Sequence, residues 1–341
     1  MKSFILLCVF VFTGCAQVTS LNLKKHQFGL QPTRIVWIQV AGLDHEHLAM
    51  LRFSSPTAND KTALETSMCT GMAWSYNLFT LRPSSQESML SQITGKKNIT
   101  GKCEDYSHKP IWNYLIASSY RAGIIEIDAR EEESLIQPKC LTGNDDFIKE
   151  TVFWSMRPQS PKGAEEYVPS VPQKFVSGKV YWDKTCRMNG CGSALRASVS
   201  SLYAQFERNV AKSIFVIRDF SYRHELERKN FNAAREVLRD IDKAVESFYQ
   251  LAGTRNDLLV VVSGASGIDL EFPLEGKDWQ KFDMKGAEVY PRRGELSVPV
   301  FAQGARSENF CGFYEESQLF DRILSGPKQQ GLELKVINPF N

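Results

Sequence analysis

Few residues in this sequence are of a type and spacing that could do chemistry. Ser67 stands inside Thr62–Asn77, which reads Thr-Ala-Leu-Glu-Thr-Ser-Met-Cys-Thr-Gly-Met-Ala-Trp-Ser-Tyr-Asn. The stretch predicts a short turn carrying a hydroxyl, then a helix of small residues. Such a helix start aims N–H groups and a positive dipole end at an anion lying over Ser67. Asp44-His45-Glu46-His47 invites a metal ion. Its histidines are two apart, however, whereas one helical face needs a spacing of three or four. A solvated loop or helix start fits better, with Asp44 capping a helix that carries Leu48 and Leu51. Histidine is scarce: His26, His45, His47, His108 and His224 are the whole set. Without a neighbouring base or metal, a serine hydroxyl is a weak nucleophile at neutral pH.

These groups need a scaffold and a compartment. The chain has 341 residues, 43% of them apolar and 23% charged, with a net charge of +2. That allows two average domains or one large α/β domain and shows no basic excess suited to nucleic acid. Met1-Lys2 and the apolar run Phe4–Phe12 form a secretory signal, too short to span a bilayer. Phe12-Thr13-Gly14-Cys15 has the form of a bacterial lipobox, which makes Cys15 the lipidated residue. Residues 1–15 are thus signal and lipobox, residues 16–33 a tether, and residues 34–341 a single domain. Ala16 favours the outer membrane, so the expected location is the bacterial cell envelope, facing the periplasm or the cell surface. The expected partners are the membrane, through the lipid anchor, and a cell-envelope protein. Export leaves Cys69, Cys103, Cys140, Cys186, Cys191 and Cys311 able to pair, with several connectivities open. Cys186 and Cys191 make the favoured pair, a small loop closure.

Along the chain, Arg34–Val40 is a mostly apolar first strand of a buried sheet. Lys109–Ile116 predicts an amphipathic helix, and Ile124–Ile127 the next strand. Residues 130–172 are charged, then rich in Pro and Ser, and predict an irregular excursion. Phe175–Trp182, Ser213–Ile217 and Leu258–Val262 predict further strands. Between the last two, Val237, Ile241, Ala244, Val245, Phe248 and Leu251 recur at helical spacing up to Gly253. A final strand over Val298–Ala305 and a short helix over Ser317–Leu324 complete a three-layer α/β/α sandwich with a mostly parallel sheet. Sites in such sheets lie beyond the strand carboxyl ends.

The order of elements and several segments resemble the alkaline phosphatases. Ser67 and Ala73-Trp74-Ser75 align with that family's nucleophile segment, and Val298-Pro299-Val300-Phe301-Ala302 with its last strand; the likeness covers most of Ile35–Leu324. It implies two zinc ions and a magnesium ion around a phosphorylated serine. The matched ligand positions depart from that pattern. Ala41 stands for the bridging aspartate, Ala265 and Ser266 for an Asp-His pair, and Ile127 for a threonine. Arg218 or Arg223 falls in the next metal box, and Arg292 or Arg293 in place of the last histidine. Arg130 matches the phosphate-clamping arginine by position only. The resemblance therefore implies the fold without the metal chemistry. The expected protein is a pseudoenzyme with no cofactor, holding phosphate or another anion with Ser67, Arg218, Arg223, Arg292 and Arg293. The alternative is a phosphoester hydrolase with Ser67 as nucleophile and a remodelled zinc and magnesium site.

Overall fold

Strand β1 (Arg34–Ala41) sends Ile35 and Trp37 to one face of a sheet and Val36, Ile38 and Val40 to the other. Both sets are buried, which is why the run is apolar throughout rather than alternating. The same two-sided burial recurs in β7 (Ser213–Asp219) and β8 (Leu258–Ala265), the neighbours of β1. The computed structural model describes residues 31–53, 61–141, 147–186, 195–273 and 289–324, together with Glu275 and Asp278.

The remaining strands of the sheet are β2 (Cys69–Trp74), β3 (Arg121–Ile127), β4 (Thr151–Met156), β5 (Glu165–Tyr167), β6 (Lys179–Asp183), β11 (Ser297–Gly304) and β12 (Gly312–Glu315). Their order is β12-β2-β11-β8-β1-β7-β3-β4-β6-β5, and every pairing is parallel except those of β11 with β8 and β2. Two further strands, β9 (Ile268–Glu271) and β10 (Tyr290–Gly294), form an antiparallel ribbon beyond the end of β8.

Helices cover both faces. On one lie α1 (Leu48–Arg52), α5 (Leu195–Phe206), α6 (Ser221–Glu227) and α7 (Phe231–Thr254). On the other lie α2 (Ser85–Thr94), α3 (Ile111–Ile116), α4 (Pro138–Leu141) and α8 (Gln318–Leu324). Helix α7 buries Phe231, Ala234, Leu238, Ile241, Val245 and Phe248 along one stripe. Each fully buried side chain of that size contributes roughly 1.5–3 kcal/mol. The expected three-layer sandwich with a mostly parallel sheet is the observed architecture. Among the described residues no helix is long and apolar enough to cross a membrane.

Two local expectations differ from the structure. The small-residue helix after Ser67 is instead strand β2. Its burial alternates, with Cys69, Gly71 and Ala73 inward and Thr70 and Trp74 outward, a period of two rather than 3.6. Gly71 is small because the Phe310 carbonyl lies where a Cβ would stand. Residues 130–172, expected as an irregular excursion, contribute β4 and β5 to the sheet, with all six residues of β4 buried. The disulfides that the structure pairs are Cys69–Cys311 and Cys103–Cys140. Cys186 is also disulfide-bonded, while its expected partner Cys191 lies outside the described residues, as does Cys15.

Candidate functional site

The carboxyl ends of β1, β8, β7 and β3 meet at one edge of the sheet, where Ala41 pairs with Ala265 and Asp219 with Val40 and Ile127. Ala41 and Ala265 pack there with Met89, Ala129 and Phe220, all buried. The centre toward which the strands point is therefore filled by apolar side chains. One residue below runs a polar row across five strands: Ser263, Gln39, Arg218, Glu126 and Ser155 are successive lateral neighbours, and every one is buried. They share the face covered by α2, because each follows by two a residue packed on that side.

A buried arginine costs several kcal/mol of desolvation unless it is paired and hydrogen-bonded. Arg218 is fully buried and forms an ion pair with Glu126, while its other Nη donates to the Gln86 side chain. Glu126 accepts in addition from the Ser134 hydroxyl and from the Leu135 N–H at 2.8 Å. The Arg218 guanidinium also lies 5.3 Å from the centroid of the Phe220 ring. Alongside, Gln39 donates to Gln92 at 3.0 Å, and Gln92 donates to the Gly264 carbonyl at 2.8 Å. The Ser263 hydroxyl donates to Gln92 at 2.8 Å. The row thus fastens α2 to the sheet. Its charge is neutralised internally, so Arg218 is not presented to a ligand.

Arg223, on α6, faces outward. Its Nε donates to Glu227 at 2.7 Å and its Nη1 to the Ser85 hydroxyl at 2.7 Å and the Ser266 hydroxyl at 3.1 Å. Gly42 has φ +80°, and the Arg223 Cβ lies 3.2 Å from where a side chain would begin, so this crossing requires glycine. Arg223, Glu227, Ser266, Gly267 and Ile268 line a cavity of about 320 Å³ beside the β9–β10 ribbon. Arg292 and Arg293 stand in β10 of that ribbon. Ser85 opens α2, whose N-cap is Ser84. The Ser84 side chain accepts from the Glu87 N–H and the Glu87 side chain from the Ser84 N–H, a capping box. Gly95 closes the helix with φ +68°. The serine that stands beside Arg223 and the end of β8 is thus Ser85, at the first residue of α2. The signal was readable: Ser84-Ser85-Gln86-Glu87 followed by Met89, Leu90 and Ile93 is a helix-start signature.

Ser67 is elsewhere. It precedes β2, whose neighbouring Met68 N–H donates to Gln303, and Gln303 pairs with Val260 near the start of β8. At ~3.3 Å per strand residue, roughly 20 Å of sheet separates Ser67 from the level of Ala265. Among the described residues the Ser67 hydroxyl bonds to that of Thr70, at 3.2 Å. The expected grouping of Ser67 with Arg218 and Arg223 is not what the fold assembles.

The histidines also separate. His47 is fully buried, bonded to the Tyr222 hydroxyl at 2.8 Å and the Ile268 carbonyl at 2.7 Å, and burial drives its pKa down to about 3. Asp44 caps the turn before it, as expected. His224 lies between Asp128 at 2.9 Å and Glu133 at 3.0 Å. Burial would lower its pKa, but these two carboxylates carry it up to about 9, so it is a cation. Burial pushes Asp219 up to about 6, while its carboxylate accepts from the Ser221 N–H at 2.8 Å and the Ser221 hydroxyl at 2.6 Å.

This is an alkaline phosphatase-like fold. No family model and no curated protein match the sequence. Among solved structures, the alkaline phosphatase of the Antarctic bacterium TAB5 superposes with a TM-score of 0.65 at 14% identity, covering 86% of this chain and 98% of that one. The alkaline phosphatase of Thermus thermophilus gives 0.65 at 10% identity over 86% and 91%. The lipoteichoic acid synthase LtaP of Listeria monocytogenes gives 0.50 at 12% identity over 86% and 72%. A variant of the TAB5 enzyme has been solved with magnesium in a site named M3. The residues here do not fit such an ion. Ala41 and Ala265 offer methyl groups in place of ligand atoms, and the carboxylate beside them in the row, Glu126, is already held by Arg218. Among the described residues no group of three or more His, Cys, Asp or Glu side chains is disposed to share a metal ion.

Proposed function

We propose that this protein is a non-hydrolytic anion binder built on an alkaline phosphatase-like fold, exported and held at the cell envelope through a lipid on Cys15. The observation that carries the reading is the filled centre: the strand ends converge on Ala41, Ala265, Met89 and Phe220 above the buried Arg218–Glu126 pair. A metal-activated hydroxyl has no place to form there, and the carboxylates near Ser85 are engaged by arginines. Arg223 supports the binding half of the proposal. It is partly exposed, it is oriented by Glu227, and it offers a guanidinium edge beside two hydroxyls, a geometry suited to phosphate. The Cys69–Cys311 and Cys103–Cys140 bonds support an oxidising compartment.

Thermal unfolding with inorganic phosphate tests the binding. The midpoint should rise with phosphate in the wild type and stay fixed in Arg223→Gln. Hydrolysis of p-nitrophenyl phosphate in the presence of zinc and magnesium tests the chemistry. No release that depends on Ser85 is expected, and release abolished by Ser85→Ala would overturn the reading.

A further inference from the structure

A second cavity, of about 590 Å³, opens at the same edge of the sheet but beyond β3 and β4. It shares no lining residue with the Arg223 cavity. Glu227 stands between the two, bonded to Arg130 on one side and Arg223 on the other. The volume is that of a pocket for a small organic molecule rather than for a bare ion.

Its walls are of two kinds. Ile136, Leu141, Ile148 and Val180 supply an apolar side. The other side carries four Arg or Lys residues, Arg130, Arg157, Lys162 and Arg228, against two carboxylates, Asp128 and Glu131. Several of these charges are already matched. Asp128 holds His224, Arg130 pairs with Glu133 and Glu227, and Arg228 pairs with Glu225. Arg157 and Lys162, on the loop leaving β4, have no carboxylate partner among the described residues. The Arg157 Nε donates to the Gln159 carbonyl at 3.1 Å, and the Arg157 backbone carbonyl accepts from the Trp182 Nε1–H at 2.8 Å. Glu131 is exposed at the rim. Two cations without a carboxylate partner among the described residues, in a cavity that also has apolar lining, call for an amphiphilic complement.

We infer that this cavity binds a small amphiphilic anion, its hydrocarbon portion against Ile136, Leu141, Ile148 and Val180 and its anionic head against Arg157 and Lys162. The site goes beyond the Arg223 site and stands whether or not Arg223 binds phosphate. The test is calorimetric titration of the mature protein with octyl phosphate below its micelle concentration, with inorganic phosphate and octyl glucoside as probes of head and tail alone. It is run in the wild type and in Arg223→Gln. Octyl phosphate should bind at least about tenfold more tightly than either control in both proteins, since head and tail are each engaged. Arg157→Gln with Lys162→Gln, a change at the rim, should weaken octyl phosphate about tenfold or more. Ile148→Trp, which fills the slot, should weaken octyl phosphate and leave inorganic phosphate unchanged. Octyl phosphate binding no better than inorganic phosphate, or binding that survives the double rim variant, or binding lost only with Arg223→Gln, would each overturn the assignment.

Discussion

The closed centre and the open cavity beside it lie on the same edge of the same sheet, yet they treat charge in opposite ways. At the centre, Arg218 is buried to the last atom and answered by Glu126 and Gln86, under a lid of Ala41, Ala265, Met89 and Phe220. At the cavity, Arg157 is half-buried and Lys162 exposed, and neither has a carboxylate partner among the described residues. The free interaction energy of this fold therefore lies at the cavity and not at the centre. A buried ion pair is satisfied by its own chain and contributes order, whereas a half-exposed cation without a partner is available to a ligand.

Unbalancing the centre should have the largest effect. Arg218→Met or Glu126→Leu alone should destabilise the protein by about 3–5 kcal/mol in urea unfolding, because each leaves one buried charge unanswered. The double variant should cost much less than the sum of the two; strict additivity would mean that the pair does not act as a unit. At the cavity the charges face water, and removing Arg157 or Lys162 should change stability by no more than ~0.5 kcal/mol.

His224 gives a second contrast, because it sits in the cavity wall and titrates. Its pKa rises from 6.5 to about 9 on folding. The folded state thus holds more protons than the unfolded state between those values. The stabilisation is fully present below pH 6.5 and is lost as pH rises through about 9. Stability measured from pH 6 to pH 10 should fall across that window in the wild type and less steeply in His224→Gln. An unchanged slope in the variant would remove His224 as the cause.

Smaller effects sharpen the placement of the serines. Ser84→Ala removes the N-cap of α2 and should cost ~1 kcal/mol. Ser67→Ala, at the far edge of the sheet, should stay within ~0.5 kcal/mol and leave phosphate protection intact. A loss of phosphate protection in Ser67→Ala would contradict the geometry.

Much of the architecture was legible because buried parallel strands and a long amphipathic helix have distinctive periods. The strand runs Arg34–Val40 and Leu258–Val262 and the stripe of α7 needed no tertiary knowledge. The site was less legible. Cys69–Trp74 is short and rich in small residues, so its period of two was hidden until Gly71 was seen under the Phe310 carbonyl. The role of Arg218 depended on Glu126, 92 residues away, and only the β3–β7 register makes them neighbours. The absence of metal-ligating types at Ala41 and Ala265 could be read directly. That Met89 and Phe220 fill the space between them could not, because α2 and the turn after β7 converge only in the folded chain.

The most direct test of the central claim is the metal content of the mature protein, purified after growth with zinc and magnesium and measured by elemental mass spectrometry. An Arg218–Glu126 pair under an apolar lid predicts zinc and magnesium far below one ion per chain, unchanged in Ser85→Ala. Zinc near one or two ions per chain, retained through a chelator wash, would contradict it.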